Sequence, residues 1–236
     1  MHRWLSRVVE WLGGHELAVL LGSLAVVGGT WGFFALADLV VDGQTKAFDT
    51  RILLALRTPG DLARPIGPAW VEEMARDLTA LGSTVNLWIA TLAVVGFLAL
   101  DRRYAAMSFV IGAVLSGWGL SFLLKSTFDR PRPDLVPHLM RAYFSSFPSG
   151  HSMMSAVVFG TLGSLLSSLV TQRRLKVYFL SIGALASILV GLTRVYLGVH
   201  YPTDVLAGWS AGLAWATLCW LIARKLQQRG EIEPSV

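Results

Sequence analysis

Three short stretches of this 236-residue chain carry residues whose types and spacing suit chemistry on an anion. The first is Phe147-Pro148-Ser149-Gly150-His151-Ser152, which enters a long apolar segment. Pro148 has a fixed φ and no amide proton, which suits the approach to a helix start. Ser149 can cap that helix, and Gly150 lets the backbone come close to a ligand. The free amides of a first turn point outward and the helix dipole adds partial positive charge, so a phosphate can be held there. His151 stands in this turn, and histidine is the side chain that titrates near neutral pH. Alone, the hexapeptide reads equally as a capped helix start with a surface histidine.

The second stretch, Lys125-Ser-Thr-Phe-Asp-Arg-Pro-Arg132-Pro133, leaves the end of an apolar run, and its prolines hold the chain extended. The third is Arg194-Val-Tyr-Leu-Gly-Val-His200-Tyr-Pro-Thr-Asp204, which joins two apolar runs. Each has an ordinary reading. Lys125 can snorkel, Arg132 can meet lipid phosphate, His200 can be a surface residue, and Asp204 can be a first-turn acid favoured by the dipole. Those readings do not explain the set of three cations, two histidines, a hydroxyl, a glycine turn and one acid. The set fits phosphoryl transfer. Arginine clamps phosphate oxygens in a bidentate fork. A covalent route needs a nucleophile and a separate proton donor for the leaving oxygen. A nucleophilic histidine needs an acceptor on its other nitrogen, and Asp204 stands four residues after His200. Asp129, Asp134 and Asp204 are too scattered to suggest a two-metal carboxylate cage.

The chain that must position these residues is 54% hydrophobic and 15% charged, against about 25% charged in a typical soluble domain. Its charges cluster and leave six uncharged runs: Leu17–Ala37, Leu78–Leu100, Tyr104–Leu124, Ser152–Gln172, Val177–Thr193 and Val205–Ala223. About 20 apolar residues span a bilayer as helix, with a range down to ~17. The fifth run is the shortest, and Val195–Leu197 can extend it past Arg194. The expected fold class is therefore all-α: one domain over 1–236, a bundle of six transmembrane helices. Arg3, Arg7, Glu10 and Glu16 before the first run and the lack of a small-residue cleavage pattern make that run a retained span. Arg3 and Arg7, Arg102 and Arg103, Arg173, Arg174 and Lys176, and Arg224, Lys225 and Arg229 fall on one side of six crossings. That side is expected to be cytoplasmic, with both termini there. The three chemical stretches then share the outer side.

Between the first two spans, Phe48, Ile52 and Leu56, then Trp70, Met74 and Leu78, recur at helical spacing, with Pro59-Gly60 between the two sets. They read as amphipathic helices on the outer membrane surface or, equally, as ordinary helices packed on a loop. Gly28-x-x-x-Gly32 and Gly208-x-x-x-Gly212 allow close helix contact, more often within one bundle than in a dimer. The single cysteine, Cys219, excludes an intrachain disulfide. The net charge of +5 lies between spans, which favours lipid headgroups over nucleic acid. The tail Gly230–Val236 is polar and expected to fray.

Lys-x6-Arg-Pro, Pro-Ser-Gly-His and Arg-x5-His-x3-Asp together resemble the signature of the type 2 phosphatidic acid phosphatase superfamily. Lys125, Arg132, Pro133, Pro148, Ser149, Gly150, His151, Arg194, His200 and Asp204 meet it. The signature covers Lys125–Asp204, the span pattern extends the likeness to most of the chain, and the first eighty residues match only loosely. The resemblance implies that His200 attacks phosphorus and becomes a phosphohistidine, that Asp204 orients it and that His151 protonates the leaving group. It implies that Lys125, Arg132, Ser149, the Gly150 amide and Arg194 hold the phosphate oxygens, without metal or cofactor. Thr193 stands where many members have serine, a departure outside the core pattern. Arg130, outside the signature, is expected to matter far less than Arg132. Six spans place the chain in the membrane branch, whose bacterial members act on undecaprenyl diphosphate, phosphatidylglycerophosphate, phosphatidate and lipid A phosphates. Undecaprenyl diphosphate is the favoured expectation, at the outer face of a bacterial inner membrane. A lipid-binding or lipid-translocating membrane protein is the alternative of another class.

Overall fold

The computed structural model describes residues 14–136, 139 and 145–232; Arg3, Arg7 and the last four residues of the tail lie outside them. Among the described residues the order is α1 (Gly14–Val41), α2 (Lys46–Ala55), β1 (Arg57–Thr58), β2 (Asp61–Pro65), α3 (Ala69–Ala80), α4 (Thr84–Leu100), α5 (Tyr104–Thr127), α6 (Gly150–Ser168), α7 (Arg173–Tyr196) and α8 (Pro202–Gln228). The fold is mainly helical, as expected, with one addition. β1 and β2 form an antiparallel hairpin in which Thr58 faces Asp61. Pro59 and Gly60 turn it, and Gly60 takes φ +85°, the positive value that the second central residue of a type II turn requires.

Among the described residues, four helices are long and apolar enough to cross a membrane: Leu17–Val41 of α1, and α5, α7 and α8. α3 and α4 meet the same criterion only when taken together, and they are bent by 47° at the break between them. The expected unbroken run Leu78–Leu100 is therefore corrected. Ser83 caps α4, accepting from the Asn86 amide at 3.3 Å, and Asn86 Nδ2 donates to the Ala80 carbonyl at 2.7 Å. Gly82 lets the break press on α7: a Cβ there would lie 2.4 Å from Val190 Cγ1.

The run Ser152–Gln172 falls on α6, which has 19 residues and ends at Ser168. It is packed against α4, α5, α7 and α8. Ser152, Ser155 and Thr161 are buried. Ser155 pairs with Ser187 of α7 at 3.1 Å, and Ser152 donates to Ser149 at 2.9 Å. Buried polar groups need such partners, and a helix enclosed by protein has little surface left for lipid. α8 presses on the α6 backbone through its glycines. A Cβ at Gly208 would lie 2.7 Å from the Ser149 carbonyl oxygen, and one at Gly212 2.5 Å from that of Met153. This spacing thus serves packing within the bundle. On α1 the contact belongs to Gly29, against Ser210, while Gly28 faces open space.

α2 and α3 form where the periodicity places them. Asp49 and Leu53, and Ala75 and Thr79, are their buried faces, whereas Phe48, Trp70 and Met74 are exposed. Both helices and the hairpin meet the α7–α8 connection at one end of the bundle. Arg57 donates to the Tyr196 carbonyl at 2.9 Å, and the Tyr196 hydroxyl to that of Ile66 at 2.8 Å.

Candidate active site

Helix ends bring the chemical residues together. Gly198 takes φ +74° just beyond α7, the left-handed residue that commonly ends a helix. The Leu197, Gly198 and Val199 amides satisfy the carbonyls of Thr193, Val195 and Arg194 at 2.9, 3.0 and 3.2 Å. This turn swings His200 inward, where it is 1% exposed. Pro202 then opens α8, and the Asp204 carboxylate reaches back to accept from the Tyr201 amide at 2.8 Å. The same oxygen, Oδ2, lies 3.4 Å from His200 Nδ1 and accepts from the Ser146 hydroxyl.

The other face of the imidazole meets the extended chain after α5. Arg132 lies 3.2 Å from His200 Nε2 and donates to the Val199 carbonyl at 2.7 Å. Burial lowers the His200 pKa to about 3, with Arg194 and Arg132 adding to the effect against the pull of Asp204. The ring is neutral at pH 7. With its Nδ1 proton directed at Asp204, Nε2 keeps a lone pair. Burial also lowers the Arg132 pKa, though an arginine stays protonated.

Lys125, in the last turn of α5, donates to the Ser145 carbonyl at 3.0 Å. Its Cε lies 3.0 Å from where a Cβ on Gly150 would stand, so the glycine leaves room for it. Ser149 caps α6 by accepting from the Ser152 amide at 3.4 Å, and its own hydroxyl proton is used in neither of its bonds with Ser152. His151, in the same turn, lies near Arg194, His200, Lys125 and Arg132. Arg194 is buried in α7 and donates to Thr79 of α3 at 3.2 Å. The structure thus gathers Lys125, Arg132, Ser149, Gly150, His151, Arg194, His200 and Asp204 at one end of the bundle.

Three residues missed by the sequence reading belong to the same cluster. Ser146 touches both Asp204 and His200. Arg130, set aside as lying outside the signature, donates to Asp204 Oδ1 at 2.5 Å and to Asp49 Oδ2 at 2.8 Å. The structure thus places Arg130 inside the cluster. Asp49 also accepts from the Thr203 amide at 3.1 Å and its hydroxyl at 2.7 Å. Asp49 is separated from these partners by 81 and 154 residues, so only the fold reveals it.

Comparison with known proteins gives this geometry its family. The model of the PAP2 superfamily (PAP2 abbreviates type 2 phosphatidic acid phosphatase) matches residues 104–228, more than half of the chain. Phosphatidylglycerophosphatase B of Bacillus subtilis (strain 168) is 42% identical over 97 residues, 40% of this chain and 46% of that protein. The match therefore spans about half the length of that relative. Lipid A 1-phosphatase of Rhizobium etli is 33% identical over 184 residues, 65% of this chain and 73% of that protein. The fold is similar to the crystal structure of a transmembrane PAP2-type phosphatidylglycerolphosphate phosphatase from Bacillus subtilis. The TM-score is 0.77 at 28% identity, covering 86% of this chain and 98% of that one. Motif, sequence and fold agree: the chain belongs to the PAP2 superfamily.

Proposed function

We propose that the protein hydrolyses the phosphate monoester or diphosphate headgroup of a membrane lipid through a phosphohistidine on His200. One observation carries this reading: the His200 ring is held between Asp204 at Nδ1 and Arg132 at Nε2. A phosphate clamped by Arg132 would meet the Nε2 lone pair. As the N–P bond forms, the P–O bond to the lipid breaks and His151 gives its proton to the departing oxygen. His151 then takes a proton from water, whose oxygen attacks phosphorus, breaks the N–P bond and releases phosphate. Lys125, Arg132, Arg194, the Ser149 hydroxyl and the Gly150 amide would stabilise the charge on the non-bridging oxygens.

The proposal extends to topology. Six crossings with both termini cytoplasmic put this end of the bundle at the extracytoplasmic face of a bacterial inner membrane. The outward Phe48, Trp70 and Met74 then rest on the membrane surface. Two substrates stand first: undecaprenyl diphosphate from the sequence reading, and phosphatidylglycerophosphate from the likeness to the Bacillus subtilis phosphatase. The test is phosphate release by purified protein in detergent from these two lipids, phosphatidate and lipid A, with EDTA present. Release from at least one lipid and inhibition by vanadate are expected. Lipid binding without release from any of them would favour a non-catalytic carrier.

A further inference from the structure

Arg130 differs from the other cations of the site in where its nitrogens go. One terminal nitrogen donates to Asp204 and to the Thr203 hydroxyl at 2.9 Å, and the other to Asp49. Its guanidinium lies over the Tyr201 ring, 4.2 Å from the centroid. Both carboxylates are fully buried. Buried acids of this kind need a hydrogen-bonded cation between them. Burial works against the charge on Arg130, but Asp204 and Asp49 together raise its pKa above the ordinary value. The two oxygens of Asp204 are thus divided: Oδ1 faces Arg130, and Oδ2 faces His200, Ser146 and the Tyr201 amide.

We propose that Asp49 and Arg130 are positioning residues for the nucleophile: Asp49 fixes Arg130, and Arg130 fixes the carboxylate that orients His200. Arg130 is then no fourth phosphate clamp, because its terminal nitrogens are directed at acids. The inference rests on the phosphohistidine reading and gives the segment before residue 104 a catalytic purpose. Asp49 lies on α2, outside the part of the chain matched by the family model. It also holds the Thr203 amide in the first turn of α8, so α2 braces the turn that carries Asp204.

The test uses full-length protein in detergent with p-nitrophenyl phosphate and dioleoyl phosphatidate. Arg130→Gln should lower kcat on the order of 10- to 100-fold, as losing the outer partner of a functional histidine does, with KM nearly unchanged. Asp49→Asn should cost less, and Arg130→Lys should recover part of the loss by keeping one ion pair. In an Asp204→Asn background, Arg130→Gln should cost little more, because its route to His200 is already cut. The pH profile supplies a second readout. His200 is faced by Asp204 from α8, Arg194 from α7, His151 from α6, and Arg132 and Ser146 from the preceding loop. Removing Arg130 strengthens the pull of Asp204 on a protonated ring. The ratio of variant to parent kcat/KM should therefore fall as the pH drops from 8 to 5, substrate ionisation cancelling in the ratio. A raised KM with kcat kept would make Arg130 a phosphate clamp and overturn the proposal. So would an equal cost with and without Asp204, which marks a scaffold. If Arg130→Gln does not elute as folded protein, Arg130→Lys and Asp49→Asn carry the same comparison. An inert parent would instead defeat the phosphatase reading itself.

Discussion

The amide of Ser149 donates to the carbonyl oxygen of Asp204 at 2.9 Å. This bond joins the first turn of α6 to that of α8, so the anion-binding turn and the acid behind His200 share one backbone frame. One turn further on, Gly208 faces the Ser149 carbonyl, where a Cβ would come within 2.7 Å. Backbone on both sides leaves little room to yield. Gly208→Ala should destabilise the protein by about 1–3 kcal/mol, the usual cost of overpacking. Gly112→Ala, where a Cβ would meet open space, should be neutral or stabilising by up to about 1 kcal/mol. Thermal unfolding in detergent compares them, and equal shifts would refute close packing at Gly208.

The two histidines should separate by leaving group. His200→Ala removes the atom that bonds phosphorus, so no substrate should turn over. His151→Ala removes a proton donor, a contribution of roughly 10²–10⁴. It should retain more relative activity on p-nitrophenyl phosphate or a lipid diphosphate than on a lipid monophosphate, whose alkoxide leaves poorly. Asp204→Asn should lie between. Turnover is measured on all three substrates, with acid-labile phosphate trapped on the protein. Phosphate trapped by His200→Ala and not by His151→Ala would reverse the assignments.

Arg132→Lys keeps the charge and loses the guanidinium, one nitrogen of which reaches both the Val199 carbonyl and His200. Removing a preorganised donor costs about 10²–10³ in rate, and this variant should approach that loss. Arg64, exposed on β2, supplies the contrast: Arg64→Gln should change turnover little. Equal losses would mean general attraction for anionic lipid and no specific clamp.

Topology can be read by labelling. Asp134 and Gln172 are both exposed, and Cys219 is buried. In intact cells an impermeant thiol reagent should reach Asp134→Cys and not Gln172→Cys. Labelling of both from outside would remove the six-crossing arrangement.

The spacing of Lys125, Arg132, Ser149, His151, Arg194, His200 and Asp204 was legible because all but Arg132 stand at or beside a helix end, and Arg132 lies between two prolines that hold the chain extended, so capping and proline signals mark position. Asp49 was not legible. Its pattern is that of an acid in the first turn of an amphipathic helix, and its role depends on a partner 81 residues away. Arg130 was hidden by its neighbours, since the basic run gives no sign of which cation faces acids and which faces phosphate. The hairpin carried a turn signal at Pro59-Gly60, but strands of two and five residues are too short for alternation to register. The bend before α4 lay inside an uncharged run, where hydropathy outweighed the Gly82-Ser83 punctuation.

The burial of α6 also bears on how the molecule is made. α7 and α8, which enclose Ser152, Ser155 and Gly163, are synthesised after it. In the six-crossing arrangement proposed above, a nascent α6 meets the bilayer with its polar residues unpartnered, and its lasting insertion depends on chain that has not yet emerged. A chain ending at Gln172 should hold α6 across the membrane in a smaller fraction of molecules than the full sequence, as a reporter fused at that point would show. In that arrangement the helix whose first turn carries His151 settles in the lipid last in the energetic sense, when its successors close around it.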